Sequence, residues 1–258
     1  NEKHLKKLER IHNQQEALDA AKLAVRLFDK VNIDLMFALP EQTKKELKDD
    51  INMALEINSS HISYYHLTIE PNTSFYKHPP KIPNQDEGAE LFDLISNKLR
   101  ESNFTHYETS AYAKNGSECR HNLNYWNFGD YIGIGAGAHS KITSKESIRR
   151  FSCHKSPKYY LSEVDKNNYI KDERILSTND RVFEFMMNAL RVNDGFAINL
   201  FEQRTNLPIN EIAKELLIAK EKKLIEEING RIKPTVLGQS FLNELLQIFL
   251  RDQNNDVK

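Results

Sequence analysis

VNIDLMFALPEQTKKELKDDINMALEINSSHISYYHLTIE, residues 31–70, decides the fold class. Residues 31–39 are a short run of β-branched and large apolar side chains. That is the length and texture of a strand buried on both faces, as in a parallel sheet. Pro40 stops it. Thr43 and Glu46 then form a T-x-x-E capping box that opens a helix over 44–58. Residues 61–70 are again rich in strand formers and are bounded by Ser59, Ser60 and Pro71. Strand, helix, strand predicts a crossover unit with parallel strands. Asp34 lies inside the first strand, where a carboxylate is unfavourable unless it is paired or faces a polar cavity. A satisfied structural aspartate and a ligand contact both fit that pattern.

The same alternation continues outward on both sides. Upstream, Asn13 and Glu16 offer an N-cap and its capping partner, and Ala17, Ala20, Ala24, Leu27 and Phe28 follow at helical spacing. Downstream, Pro71, Pro79, Pro80 and Pro83 mark a long exposed loop. A helix is predicted over 87–102, with Leu91, Leu94, Ile95 and Leu99 on one face. Further strands are predicted over 106–113 and, bearing glycines, over 131–142. Strands alternating with helices give an α/β fold with a parallel sheet, open or curled into a barrel, whose ligands gather at the carboxyl ends of the strands.

The loop predicted over 114–130 and the glycines after it carry the densest chemistry: CRHNLNYWNFGDYIGIGAGAHS, residues 119–140. His121, Tyr125 and Trp126 fall within six residues, and Gly133, Gly135 and Gly137 permit close backbone approach to a ligand. A hydrogen-bonded loop histidine beside core aromatics is the competing reading. The G-x-G-x-G run is a weak nucleotide fingerprint, because no helix follows at the required spacing. His139 and Ser140 are adjacent in a predicted strand, so their side chains point apart and no catalytic pair is assigned. His66 could line a cavity or bond a backbone carbonyl.

Composition narrows the function classes. The chain has 258 residues, with 36 Lys plus Arg against 37 Asp plus Glu. No bulk field therefore recruits nucleic acid or acidic lipid. No long apolar run and no secretion signal are present, so a cytoplasmic location is expected. Cys119 and Cys153 cannot build a disulfide framework and are too few to hold an iron–sulfur cluster. From about residue 166 the pattern becomes helical: helices over 180–191, 199–204 and 210–222, a hairpin around Asn229 and Gly230, and a closing helix over 238–250. Three helices and a hairpin wing predict a small winged-helix-like α+β domain. Its balanced charges give no support to DNA binding.

Several separated segments, RIHN (10–13), NIDLMFALP (32–40), LTIEPNT (67–73), CRHNLNYW (119–126) and YIGIGAGAHS (131–140), resemble the oxygen-independent coproporphyrinogen oxidase family of radical S-adenosylmethionine proteins. RVFEFMMNALR (181–191) and LGQSFLNELLQIFL (237–250) extend the likeness across nearly the whole chain. The H-N-x-x-Y-W element is similar to the haem-chaperone branch of that family. The resemblance implies a partial (β/α) radical-SAM-type barrel over 1–165 and a C-terminal winged-helix-like domain over 166–258. It implies S-adenosylmethionine contacts at Arg10, Asp34, Tyr65 and Ala136, and haem contacts at His121, Asn122, Tyr125 and Trp126, with His121 on the iron. Expected partners are haem or porphyrin and haem-accepting proteins, with no nucleic acid and at most a weak membrane association. The alternative is an oxidative decarboxylase of coproporphyrinogen.

Two departures accompany the likeness. The family's C-x-x-x-C-x-x-C motif does not occur in these residues, so a [4Fe–4S] cluster is expected only in a longer parent, of which this chain reads as the C-terminal two thirds. Ala38 stands where the family usually has the glycine of G-L-P. A half-barrel would also leave an unpaired strand edge and an exposed apolar face near residues 31–39.

Overall fold

The computed structural model describes residues 1–251, and its internal contacts divide the chain into two compact units, Asn1–Cys119 and the part that starts at Arg120.

In the first unit, α1 (Glu2–Lys7) and α2 (Gln14–Leu27) precede the decisive stretch, which forms β1 (Asn32–Phe37), α3 (Lys44–Ile57) and β2 (His61–His66). Both capping boxes read from the sequence are formed. Asn13 accepts from Glu16 N–H and Thr43 from Glu46 N–H, and each glutamate reaches back to its cap. β1 and β2 are parallel, with Asp34 opposite Ser63 and Met36 opposite Tyr65. The proline-rich loop holds one short helix, α4 (Ser74–Lys77), before α5 (Gln85–Glu101). α5 starts two residues earlier than predicted because Asn84 and Glu87 form a third capping box.

Three expectations are corrected here. The strand predicted over 106–113 is two strands, β3 (Thr105–Glu108) and β4 (Ala111–Ala113), folded back through a turn at Thr109 and Ser110. β4 pairs antiparallel with both β2 and β3, so the sheet order is β1-β2-β4-β3 and the sheet is mixed rather than parallel. β1 is an edge strand and is not buried on both faces: Asn32 and Asp34 are exposed. Alternation in the parallel pair separates the faces. Phe37, Ile62, Tyr64 and Tyr112 join Leu47, Ile51, Leu91, Ile95 and Leu99 of α3 and α5 in one core. The opposite face carries Asn32, Asp34, His61 and Ser63.

The second unit opens with α6 (Arg120–Trp126). It continues through an antiparallel meander β5 (His139–Thr143), β6 (Ile148–Cys153) and β7 (Ile170–Ile175), with α7 (Pro157–Val164) between the last two strands. The meander and α7 left no reading in the sequence beyond the start of β5. After them come α8 (Thr178–Ala189), β8 (Phe196–Ala197), α9 (Ile198–Thr205), a 3-10 turn (Ile209–Ile212), α10 (Ala213–Glu221), and the hairpin β9 (Ile225–Ile228) and β10 (Arg231–Pro234). β8 adds to the hairpin in the order β8-β10-β9, so the wing has a third strand that the sequence reading did not include. Asn229 and Gly230 both take positive φ in the hairpin turn, a conformation those residues tolerate. The closing helix is broken into α11 (Val236–Ser240) and α12 (Leu242–Gln247), with Phe241 off helical geometry at the joint.

One core spans residue 165. Phe128 and Ile148 share it with Phe185, Phe196, Phe201, Ile232 and Phe249. The edge of Phe128 meets Phe185 with ring centroids 6.0 Å apart. The change of composition at 165 therefore does not coincide with the division by contacts, because Phe128 and Ile148, which precede it, join the core of α8. Among the described residues no helix is long and apolar enough to cross a membrane.

Candidate functional site

In the first unit the polar face of the β1–β2 pair gathers Asp34 and Tyr65. Both are exposed, and Asp34 Oδ1 accepts from Asn32 Nδ2 at 2.8 Å. Desolvation raises the Tyr65 hydroxyl above its usual range, and the Asp34 carboxylate beside it adds to the effect. Behind them lies a group that sequence reading did not find. His61 is buried, with Nδ1 2.6 Å from Asn32 Oδ1 and Nε2 2.7 Å from the Tyr107 hydroxyl. Ser63 donates to the same Asn32 oxygen at 3.1 Å, and the Cys119 amide donates to Tyr107 at 3.2 Å. Burial holds His61 below the usual imidazole range, against the opposing charges of Asp34 and Glu118. Arg10 lies outside the sheet, exposed in the turn after α1, with its amide on Leu5 O.

In the second unit the haem-motif residues lie on α6, not in the loop predicted from sequence, because residues 120–126 make one short helix. Spacing of four on a helix brings side chains together. His121 is exposed and meets Tyr125 edge-to-face, with centroids 4.8 Å apart. Tyr125 in turn meets Tyr131 at 4.8 Å. The Tyr131 hydroxyl accepts from Arg150 at 2.7 Å, and Arg150 Nε donates to Glu184 at 2.6 Å. Arg174 donates to the other oxygen of Glu184. A ladder of rings thus runs from a solvent-facing imidazole to a pair of guanidinium groups. Asn122 and Trp126 share another face of α6. The Trp126 ring carries the Arg191 guanidinium at 5.2 Å, and its Nε1 is buried without a hydrogen-bond partner among the described residues.

The glycine stretch is likewise corrected. Tyr131 makes a bridge to Lys141, residues 132–138 form a loop, and regular strand begins only at His139. Gly133 donates to Ser140 Oγ, and a Cβ at Gly133 would stand 2.2 Å from the His139 carbonyl oxygen. Ala136 is exposed at the turn between Gly135 and Gly137, both at positive φ. A buried cation fixes the base of this loop. Lys141, 1% exposed, donates to Phe128 O, Asp130 Oδ1 and Thr143 Oγ1 at 2.9–3.0 Å and sits 4.1 Å over the Phe128 ring. Burial lowers the Lys141 ammonium from its usual range. Burial alone would raise Asp130, but donation from Lys141 and Thr143 outweighs it and holds that carboxylate low.

The structure therefore brings Asp34 and Tyr65 together on one sheet face, and His121, Asn122, Tyr125 and Trp126 on one helix. Arg10 and Ala136 stand apart from these groups within their own units. Among the described residues no group of three or more His, Cys, Asp or Glu side chains could hold a metal ion. Cys119 and Cys153 are both free and fall in different units. Alternation alone could have flagged the His61 group, since Asn32, Asp34, His61 and Ser63 are the polar positions of two neighbouring strands. Tyr107 lies 46 residues from His61 and no local pattern connects them.

Comparison with known proteins agrees with this architecture. Residues 176–241 match the family model of the HemN C-terminal domain. The chain is 42% identical over 255 residues to the heme chaperone HemW of Haemophilus influenzae and 40% identical over 254 residues to that of Escherichia coli. In each case 98% of this chain and 66% of the relative are covered, so the chain spans about two thirds of the length of these proteins. Its fold is similar to that of coproporphyrinogen III oxidase (HemN) from Escherichia coli, a radical SAM enzyme, with a TM-score of 0.75 at 17% identity, covering 96% of this chain and 61% of that one. The chain belongs to the HemW family, and its residues 176–241 to the HemN C-terminal domain family.

Proposed function

We propose that this chain binds haem as cargo for transfer to haem-accepting proteins and contributes side chains that hold S-adenosylmethionine. The observation that carries the reading is the exposed His121 ring packed edge-on against Tyr125 at one end of the α6 ladder. A neutral imidazole ligates haem iron axially, and a tyrosine held at its flank fixes the ring and offers a surface to the macrocycle. Asn122 and Trp126 complete the haem set. Exposure of the ligand suits a carrier that must release its cargo, whereas a permanent haem protein encloses it.

The polar face of the first unit fits S-adenosylmethionine. Asp34 is an exposed carboxylate able to accept from a ribose hydroxyl or an ammonium group, Tyr65 lies beside it, and Arg10 supplies a cation suited to a carboxylate. S-adenosylmethionine, when bound next to a reduced iron–sulfur cluster, is a source of radical chemistry. The two cysteines of this chain do not fit such a cluster, so its residues bind and orient the cofactor and are given no part in reducing it.

The second reading, oxidative decarboxylation of coproporphyrinogen, draws on the likeness to the solved HemN fold. Haem titration followed at the Soret band separates the two. The chaperone reading expects saturable binding that His121→Ala weakens at least tenfold, with the porphyrin recovered unchanged. Equal binding by wild type and variant would remove His121 from the site, and with it the observation that favours the chaperone over the oxidase.

A further inference from the structure

The hydrogen bonds behind Asp34 have a direction that the atoms themselves dictate. A carboxylate only accepts, so the Asn32 atom 2.8 Å from Asp34 Oδ1 is the amide nitrogen. Asn32 Oδ1 therefore faces His61 Nδ1 at 2.6 Å and Ser63 Oγ at 3.1 Å, and being an acceptor it requires a proton on His61 Nδ1. A neutral imidazole then presents a lone pair at Nε2, so the Tyr107 hydroxyl at 2.7 Å must donate to it. The Tyr107 oxygen in turn accepts the Cys119 amide at 3.2 Å. Every member donates one way only, from Cys119 through Tyr107, His61 and Asn32 to Asp34. Buried polar chains of this kind hold a single arrangement when fully satisfied. His61 and Tyr107 are both buried, whereas Asp34 at the end of the chain is exposed.

We propose that Tyr107, His61 and Asn32 form a one-way hydrogen-bond chain that sets the orientation of the Asp34 carboxylate toward S-adenosylmethionine, with Nδ1-protonated His61 as a positioning residue. The role toward the cofactor rests on the function proposed above; the polarity of the chain does not. His61 touches no ligand in this scheme. It acts by deciding which end of the Asn32 amide faces Asp34, since the opposite tautomer would offer Asn32 an acceptor and turn its oxygen toward the carboxylate.

Two measurements on the whole chain test this. Long-range nitrogen–proton NMR of the histidine rings reads the tautomer directly. His61 is expected as a single Nδ1–H form with an unprotonated Nε2, and Asp34→Ala, which frees the Asn32 amide to flip, is expected to release it into a mixture of tautomers. An Nε2–H ring in the wild type would overturn the chain. Calorimetry with S-adenosylmethionine alone reads the positioning. Asn32→Asp keeps the acceptors for His61 and Ser63 but replaces the donor to Asp34 with a carboxylate oxygen that repels it, so it should weaken binding about tenfold or more, approaching Asp34→Ala. Wild-type binding by Asn32→Asp, beside lost binding in Asp34→Ala, would overturn the positioning role. No binding by the wild type would instead sink the cofactor reading at Asp34, while the tautomer would still decide the chain.

Discussion

Asn1–Cys119 and the part from Arg120 onward hold buried polar groups in opposite ways. The first strings uncharged donors and acceptors between Tyr107, His61 and Asn32. The second buries a cation, Lys141, and satisfies all three of its donors with Phe128 O, Asp130 and Thr143. A neutral chain is inexpensive to desolvate and fixes direction. A buried ammonium carries a desolvation penalty of several kcal/mol that only complete coordination offsets. The difference matches what each supports: the chain ends at the exposed Asp34, whereas the clamp closes the base of a glycine loop that has no regular strand to hold it.

The largest expected effect follows from breaking the clamp. Lys141→Met keeps the volume and the contact with Phe128 but leaves the half-buried Asp130 carboxylate with only Thr143, and leaves the Phe128 carbonyl without its donor. Removing one partner of a buried ion pair costs about 3–5 kcal/mol. A value near the lower end is expected here, because Asp130 is partly solvated. Trp126 is the only tryptophan, so its fluorescence during urea unfolding reports the second unit. A loss under about 1 kcal/mol would mean that Asp130 and Phe128 O find water when Lys141 goes, and the contrast between the units would lapse.

Acidification discriminates in the other direction. Burial lowers His4, His61 and His106 below the ordinary imidazole range, and all three belong to the first unit. A histidine depressed in the folded state takes up its proton more readily when unfolded. Its stabilisation is therefore present above about pH 6.5 and is lost as pH falls toward the folded values. Glu46, held to about 2 chiefly by the Thr43 amide and hydroxyl, stays ionised across that interval, as does the depressed Asp130 of the second unit. Between pH 7 and pH 5, amide exchange corrected for intrinsic rates should accelerate several-fold in β2 and β4, and less in β5 and β6. Equal acceleration in both units would place the pH sensitivity elsewhere.

How much was readable beforehand depended on whether the deciding interactions were local. Capping boxes at Asn13 and Thr43 span three residues and predicted helix starts correctly, and the Asn229–Gly230 turn predicted the wing. The split of 106–113 into two strands turned on a tight reversal inside a continuous run of strand formers. The α6 helix was hidden because His121, Asn122, Tyr125 and Trp126 read as a binding loop, and no capping signal opened it. The glycine segment failed as a strand for a steric reason: Gly135 and Gly137 take positive φ, and the backbone at Gly133 must pass against His139. The motif residues themselves were legible; Arg150 and Glu184, which extend the ladder beyond Tyr131, come from distant elements and were not.

Ala38 gives the smallest expected effect. Its φ is +56°, in the left-handed region that favours glycine, and it is fully buried just after β1. An L-residue there is strained by roughly 1–2 kcal/mol, which argues for Ala38→Gly as a stabilising change. Two terms oppose it. Glycine loses about 0.5–1 kcal/mol more backbone entropy on folding, and the buried methyl contributes about 0.8 kcal/mol. The sum lies near zero, so Ala38→Gly should move the unfolding free energy by less than about 0.5 kcal/mol. The alanine is thus an almost neutral replacement rather than a lesion in the loop that leads to Thr43. Ala38→Val keeps the strain and adds a branched Cβ to a packed position, and should lose about 2 kcal/mol or more. Paired urea titrations of the two variants, followed by exchange in β1 and β2, check this. A gain above about 1 kcal/mol for the glycine would show that strain at the end of β1 outweighs the buried methyl, and that this edge of the first unit is held less tightly than its neutral hydrogen-bond chain implies.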